Sequence, residues 1–76
     1  MTVTVKARLI GGKLEKEYSL PEGVTTEELT GRFLAEHRDP APRANLLVLL
    51  NGKQCAKDSL LRDGDVLELI MLLCGG

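Results

Sequence analysis

One stretch of the chain, Thr25 to about Arg38, carries apolar residues at helical spacing, and the sequence on either side of it is patterned for strands. Leu29, Phe33 and Leu34 form a single apolar stripe, which lets the segment bury one side against a flat partner. Thr25-Thr26-Glu27-Glu28 matches the capping box, with Thr25 as N-cap and Glu28 three residues on. Val24 and Leu29 fall at the positions of a hydrophobic staple. Glu27 and Glu28 suit the positive end of the helix dipole and His37 the negative end. Pro40 and Pro42 require the helix to stop near His37 or Arg38. Gly31 inside it costs about 1 kcal/mol relative to Ala, which implies close packing against a sheet there.

Before the helix, Val3, Val5, Ala7 and Leu9 alternate with Thr2, Thr4, Lys6 and Arg8, the period of a half-buried strand. Gly11-Gly12 permits a tight turn. Leu14, Lys16, Tyr18 and Leu20 then alternate in a returning strand. Lys16 in its apolar register places that strand at a sheet edge, where a charge discourages further pairing. After the helix, Leu46 to Leu50 is apolar on both faces, and Asn51-Gly52 is a strong hairpin signal. Lys53-Gln54-Cys55 makes a short return strand. Ala56 to Asp65 is a connector anchored by Leu60-Leu61, with a turn at Asp63-Gly64-Asp65. Val66 to Leu73 is a last strand, apolar on both faces except for Glu68. The fold class is α+β, with four to five strands and one main helix across one sheet face. The first and last strands, being the most regular, belong in the middle of the sheet.

Composition narrows the function classes. A chain of 76 residues buries only about 60% of the surface of its unfolded form, so one domain is expected. A net charge of -1 gives no electrostatic footprint for nucleic acid or an anionic membrane. With one Tyr, one Phe and no Trp, stacking on bases is nearly excluded. The apolar runs are too short to span a bilayer. Cys55 and Cys74 are too few for a disulfide framework, and with His37 they make no zinc set. A cytoplasmic protein without a bound metal is expected. No phosphate-binding loop, dinucleotide fingerprint, nucleophile elbow or zinc-protease motif occurs, so no catalytic residue is assigned. Cys55 reads as a small core hydrophobe, His37 as a helix-end residue, and Asp63 and Asp65 as turn formers.

The end of the sequence stands apart. Gly75-Gly76 is thin enough to thread a narrow channel and present a carboxylate. Such a carboxylate can be activated on the α-phosphate of ATP as an acyl-adenylate, from which a sulfur nucleophile displaces AMP.

In its order of elements the chain resembles the ubiquitin-like β-grasp sulfur carriers, the group of the molybdopterin synthase small subunit and the thiamin-pathway carrier. The resemblance rests on Val48-Leu49-Leu50-Asn51-Gly52-Lys53, on Leu60-Leu61-Arg62-Asp63-Gly64-Asp65-Val66 and on Gly75-Gly76, and it covers the whole chain. It implies a β-grasp domain over residues 1–73 and a flexible tail over 74–76. Gly76 would be adenylated and converted to a thiocarboxylate, with Gly75 and Cys74 threading into the partner. The implied partners are an adenylyltransferase similar to ubiquitin-activating enzymes, which uses ATP and Mg²⁺, a persulfide sulfur donor, and a larger synthase subunit or thiazole-forming enzyme. This chain would bind no cofactor itself. Molybdopterin synthase small subunits usually carry prolines just before Gly-Gly, where this chain has Ile70-Met71-Leu72-Leu73-Cys74.

A docking role is also expected from the strands. One helix covers one face of a small sheet, so half of each doubly apolar strand faces outward, and exposed apolar patches mark interfaces. Alternation alone leaves open whether Val66 with Ile70 or Leu67 with Leu69 faces the helix. The docking surface is expected at Leu47, Leu49, Leu67, Leu69, Met71 and Leu73. Two other functions use the same features: a ubiquitin-like protein modifier joined to lysines through Gly-Gly, and a binding module with no covalent chemistry.

Overall fold

The computed structural model describes residues 1–9, 12–37 and 46–72. These residues form β1 (Thr2–Leu9), β2 (Gly12–Ser19), α1 (Thr26–His37), β3 (Leu46–Leu50), β4 (Lys53–Gln54) and β5 (Val66–Met71). The strands make one sheet in the order β2-β1-β5-β3-β4. β1 and β5 run parallel, and the other neighbours are antiparallel. The two strands expected in the middle pair with each other, and β2, expected at an edge, is at one.

Register decides which side chains share a face, because paired residues point the same way. Val5 pairs with Leu67 and Ala7 with Leu69, and all four are buried. Val3 pairs with Tyr18 and joins the same layer. Leu29 and Phe33 of α1 close the core from the other side, at 1% and 0% exposure. Burying a side chain of this size contributes roughly 1.5–3 kcal/mol, so the helix is held by its stripe more than by its own propensity.

The N-cap half of the capping box forms: Glu28 N–H donates to Thr25 Oγ1 at 3.2 Å. The Glu28 carboxylate accepts from the Thr25 hydroxyl, at 3.2 Å, rather than from the Thr25 backbone N–H that a full box uses. The connector after β4 supplies the rest of the cap. Thr26 N–H donates to the Ser59 carbonyl at 2.9 Å and Glu27 N–H to the Lys57 carbonyl at 3.1 Å. Thr26 Oγ1, buried, donates to the carbonyls of Ala56 and Lys57. The first donors of a helix have no partner within it, and here a distant segment accepts from them.

Three local expectations need correction. Gly31 has open space where a Cβ would stand, so close packing does not explain it. Leu61 is buried, but the Leu60 side chain is 61% exposed, and Leu60 ties the connector to Thr25 through a backbone bridge. The last strand ends at Met71 and the short one at Gln54, so Cys55 follows β4 and sits half-buried at the rim of the core.

Candidate functional site

The sheet has one face under α1 and one face open, and beyond the Thr2–Ser19 pair at the start of β1 the registers sort the open face into three rows. Nearest the start of β1 lie Glu17, Thr4 and Val66. The middle row is Glu15, Lys6, Glu68, Leu49 and Gln54. The last row is Lys13, Arg8, Ile70 and Leu47. One residue beyond Ile70, β5 ends at Met71, and Leu72 stands 47% exposed. The chain therefore leaves the sheet beside this last row, on its way to residues 73–76.

The expected docking residues divide accordingly. Leu47 and Leu49 are half-buried on the open face, where the sequence reading puts them. Leu67 and Leu69 are fully buried against the helix and belong to the core. Met71 pairs with Leu46 on the helix side of the sheet. The outward set of β5 is Val66, Glu68 and Ile70. The physical reason lies in β1: Val5 and Ala7 must be buried, and the parallel register ties Leu67 and Leu69 to them. Leu73, Cys74, Gly75 and Gly76 lie outside the described residues. Arg8, Lys13 and Glu68 enter the open face without having been singled out, although the alternation of β1 already points Arg8 outward.

The two motifs that carry the resemblance meet at the opposite end of the sheet. Asn51 adopts φ 52° and Gly52 φ 84°, the left-handed pair of a type I′ turn. Asn51 Nδ2 donates to Asp65 Oδ1 at 2.9 Å, and Val66 N–H donates to Asn51 Oδ1 at 2.9 Å. Asp65 Oδ2 accepts from Arg62 N–H at 2.8 Å, and Asp63 Oδ1 from Thr2 N–H at 2.7 Å. The motifs thus lock the β3–β4 turn and the start of β1 to the start of β5. They fix the start of β5 against its neighbours, and their carboxylates are occupied by that work.

His37 lies 2.8 Å through Nδ1 from the Phe33 carbonyl, which places a proton on that nitrogen, and its ring stacks on Phe33 at 4.0 Å. Both contacts are structural. A cavity of about 490 Å³ between α1 and β3 is lined by Thr30, Leu46, Val48, Cys55 and Ala56 among others. Its walls are mostly apolar, and Glu27 and Lys57 also line it. Among the described residues, no helix is long and apolar enough to cross a membrane.

A mixed five-stranded sheet in this order, with one helix across one face, is a ubiquitin-like β-grasp fold. A Pyrococcus furiosus protein assigned as molybdopterin converting factor subunit 1 superposes with a TM-score of 0.75 at 26% identity, over 95% of this chain and 98% of that one. SAMP1 from Haloferax volcanii gives 0.79 at 18% identity over 100% of both chains. The ubiquitin of Caldiarchaeum subterraneum gives 0.68 at 21% over 100% of this chain and 98% of that one. No curated protein matches the chain. The ThiS family model matches residues 1–76, and the chain belongs to the ThiS family. Small ubiquitin-like proteins of this kind are carriers, not catalysts, and work with activating enzymes and larger synthase subunits.

Proposed function

We propose that this chain carries sulfur on its last residue. The Gly76 carboxylate attacks the α-phosphate of ATP in the active site of an adenylating partner, and pyrophosphate leaves. A sulfide sulfur then displaces AMP from the acyl carbon, leaving a thiocarboxylate. Where a persulfide attacks instead, it forms an acyl disulfide, and a thiol cleaves its S–S bond, becoming oxidised to a disulfide as the thiocarboxylate is released. A second partner consumes that sulfur in the synthesis of a molybdopterin-type cofactor or of thiamin. The chain contributes the thread, Gly75 and Gly76 with Cys74 before them, and the face that docks it. ATP and Mg²⁺ belong to the partner.

The observation that carries this reading is the family match, which extends through Gly75 and Gly76. The test is an intact mass after incubation with the ThiS-family adenylating enzyme of the same genome, ATP, Mg²⁺ and sulfide. Exchange of one oxygen for one sulfur at Gly76, absent when Gly75-Gly76 is deleted, is expected. Higher-mass conjugates through Gly76 would establish a protein modifier instead. An unchanged mass, with the enzyme active on another carrier, would leave a non-covalent module.

A further inference from the structure

The open face carries one charge arrangement that the fold does not use. Arg8 and Lys13 stand directly opposite each other across β1 and β2, on the last row before the tail. Like charges so placed in a sheet destabilise it. In the row below, Lys6 sits between Glu15 and Glu68, so the signs alternate. The ion pairs of Glu36 with Lys16 and Arg32 involve neither residue. Arg8 and Lys13 therefore keep exposed charges outside those pairs. Both border a shallow concavity of about 280 Å³ that Lys6, Glu15, Glu68 and Ile70 also line.

We propose that Arg8 and Lys13 are an anchoring cation pair for carboxylate side chains on the adenylating partner, a contact that rests on the carrier reading above. This row is the one nearest the end of β5, one residue beyond Ile70, so a protein that binds the residues following β5 starts beside it. Half-buried Ile70 and Leu47 continue the row as an apolar strip. The surface that fits is apolar at its centre with an acidic rim on the β2 side. A polyanion does not fit, since Glu15, Glu17 and Glu68 occupy the rest of the face and would repel it. Carboxylates confined to the last row relieve the Arg8–Lys13 repulsion and stay one row away from Glu15 and Glu68, which favours docking in one orientation.

Lys13→Glu separates this role from a structural one, because it turns the repulsive cross-strand pair into an attractive one. The variant is expected to melt no lower than the wild type. Its dissociation constant for the purified adenylating enzyme, measured by calorimetry at low salt, is expected to rise roughly tenfold or more. The rate of thiocarboxylate formation at saturating carrier should not change. Salt should weaken the wild-type complex and leave the Arg8→Glu/Lys13→Glu complex nearly unaffected. Equal low-salt affinity of Lys13→Glu and wild type would overturn the proposal, as would a loss of binding that tracks a lowered melting temperature. A wild-type chain that binds no enzyme overturns this proposal and the carrier reading together. Binding that is lost in Lys13→Glu, with no sulfur gained by the wild type, supports the anchor and overturns the carrier chemistry alone.

Discussion

The Tyr18 hydroxyl donates a 2.7 Å hydrogen bond to Glu36 Oε1, tying the edge strand β2 to the last turn of α1. Lys16 Nζ reaches Glu36 Oε2 at 3.0 Å, and the Arg32 guanidinium stands 5.0 Å from the centre of the Tyr18 ring. The Glu36 carboxyl is held below the usual carboxylate range, first by the tyrosine hydroxyl and then by Lys16. Tyr18 is pushed well above the usual phenol range, first by burial and then by its bond to Glu36.

Stability should therefore fall at both ends of the pH scale. Glu36 has a lower pKa folded than unfolded, so its contribution is present above the ordinary value of about 4.3 and is lost as pH drops through the folded value. Tyr18 has a higher pKa folded than unfolded. Its contribution is full below about pH 10 and is lost as pH rises toward the folded value. Urea unfolding across the pH range should show Glu36→Gln less stable than wild type at pH 7, with the gap closing in acid. Tyr18→Phe, which keeps the buried ring, should remove most of the alkaline decline. A gap that stays constant into acid would show that Glu36 is not the titrating group.

Asn51 holds two requirements at once, a left-handed backbone and a side chain bonded to both Asp65 and Val66 N–H. Asn51→Gly satisfies the first and removes the second. Asn51→Ala removes both. Losing the hydrogen bonds should cost about 1–2 kcal/mol, and forcing Ala into a left-handed conformation should add about 1 kcal/mol. Chemical denaturation should rank wild type above Asn51→Gly and Asn51→Ala lowest. Equal stability of all three would show that the Asn-Gly and Asp-Gly-Asp motifs do not clamp the sheet.

Gly31 is the position where a substitution should help. It lies inside α1 with nothing within 4 Å of an added Cβ, and its backbone is helical. Ala there should stabilise the protein by about 1 kcal/mol, which raises the melting temperature of a domain this size by about 4–8 °C. A calorimetric scan of Gly31→Ala with a lowered melting temperature would restore the close approach that the sequence alone implied.

The sequence disclosed the fold where one period prevailed. β1 alternates cleanly, α1 has its box and stripe, and Asn51-Gly52 admits few turns. It was silent for Leu46–Leu50, which looks the same in either register until its pairing with β5 is known. In Val66–Met71 the charge of Glu68 marks the open face, with Val66 and Ile70 beside it, a local signal that agrees with the parallel pairing to β1 and that the expected docking set passed over. The connector was opaque for a related reason: Thr26 bonds to carbonyls of Ala56, Lys57 and Ser59, and Leu61 N–H to the Val24 carbonyl, all distant in sequence. Of the candidate site, Leu47 and Leu49 were legible from strand composition. The Arg8–Lys13 opposition required the hairpin register, which the strand pattern leaves free.

The register makes a last prediction about paired leucines. Leu67 and Leu50 share the inner face, while Leu49 lies one residue away on the open one. Leu67 has no exposure, so Leu67→Ala should cost about 2–5 kcal/mol and bring a 76-residue fold close to unfolding. Leu49→Ala, on a half-buried outer position, should cost about 1 kcal/mol. Leu47 and Leu49 can then be changed together without losing the protein, and Leu67 cannot. Circular dichroism melts of the variants should show this asymmetry. Binding of the adenylating enzyme should show the reverse: folded Leu47→Ser/Leu49→Ser should bind weakly because the apolar strip beside Ile70 is gone. Tight binding by that variant would mean that the open face of the sheet is not the docking surface, even though the fold leaves it bare.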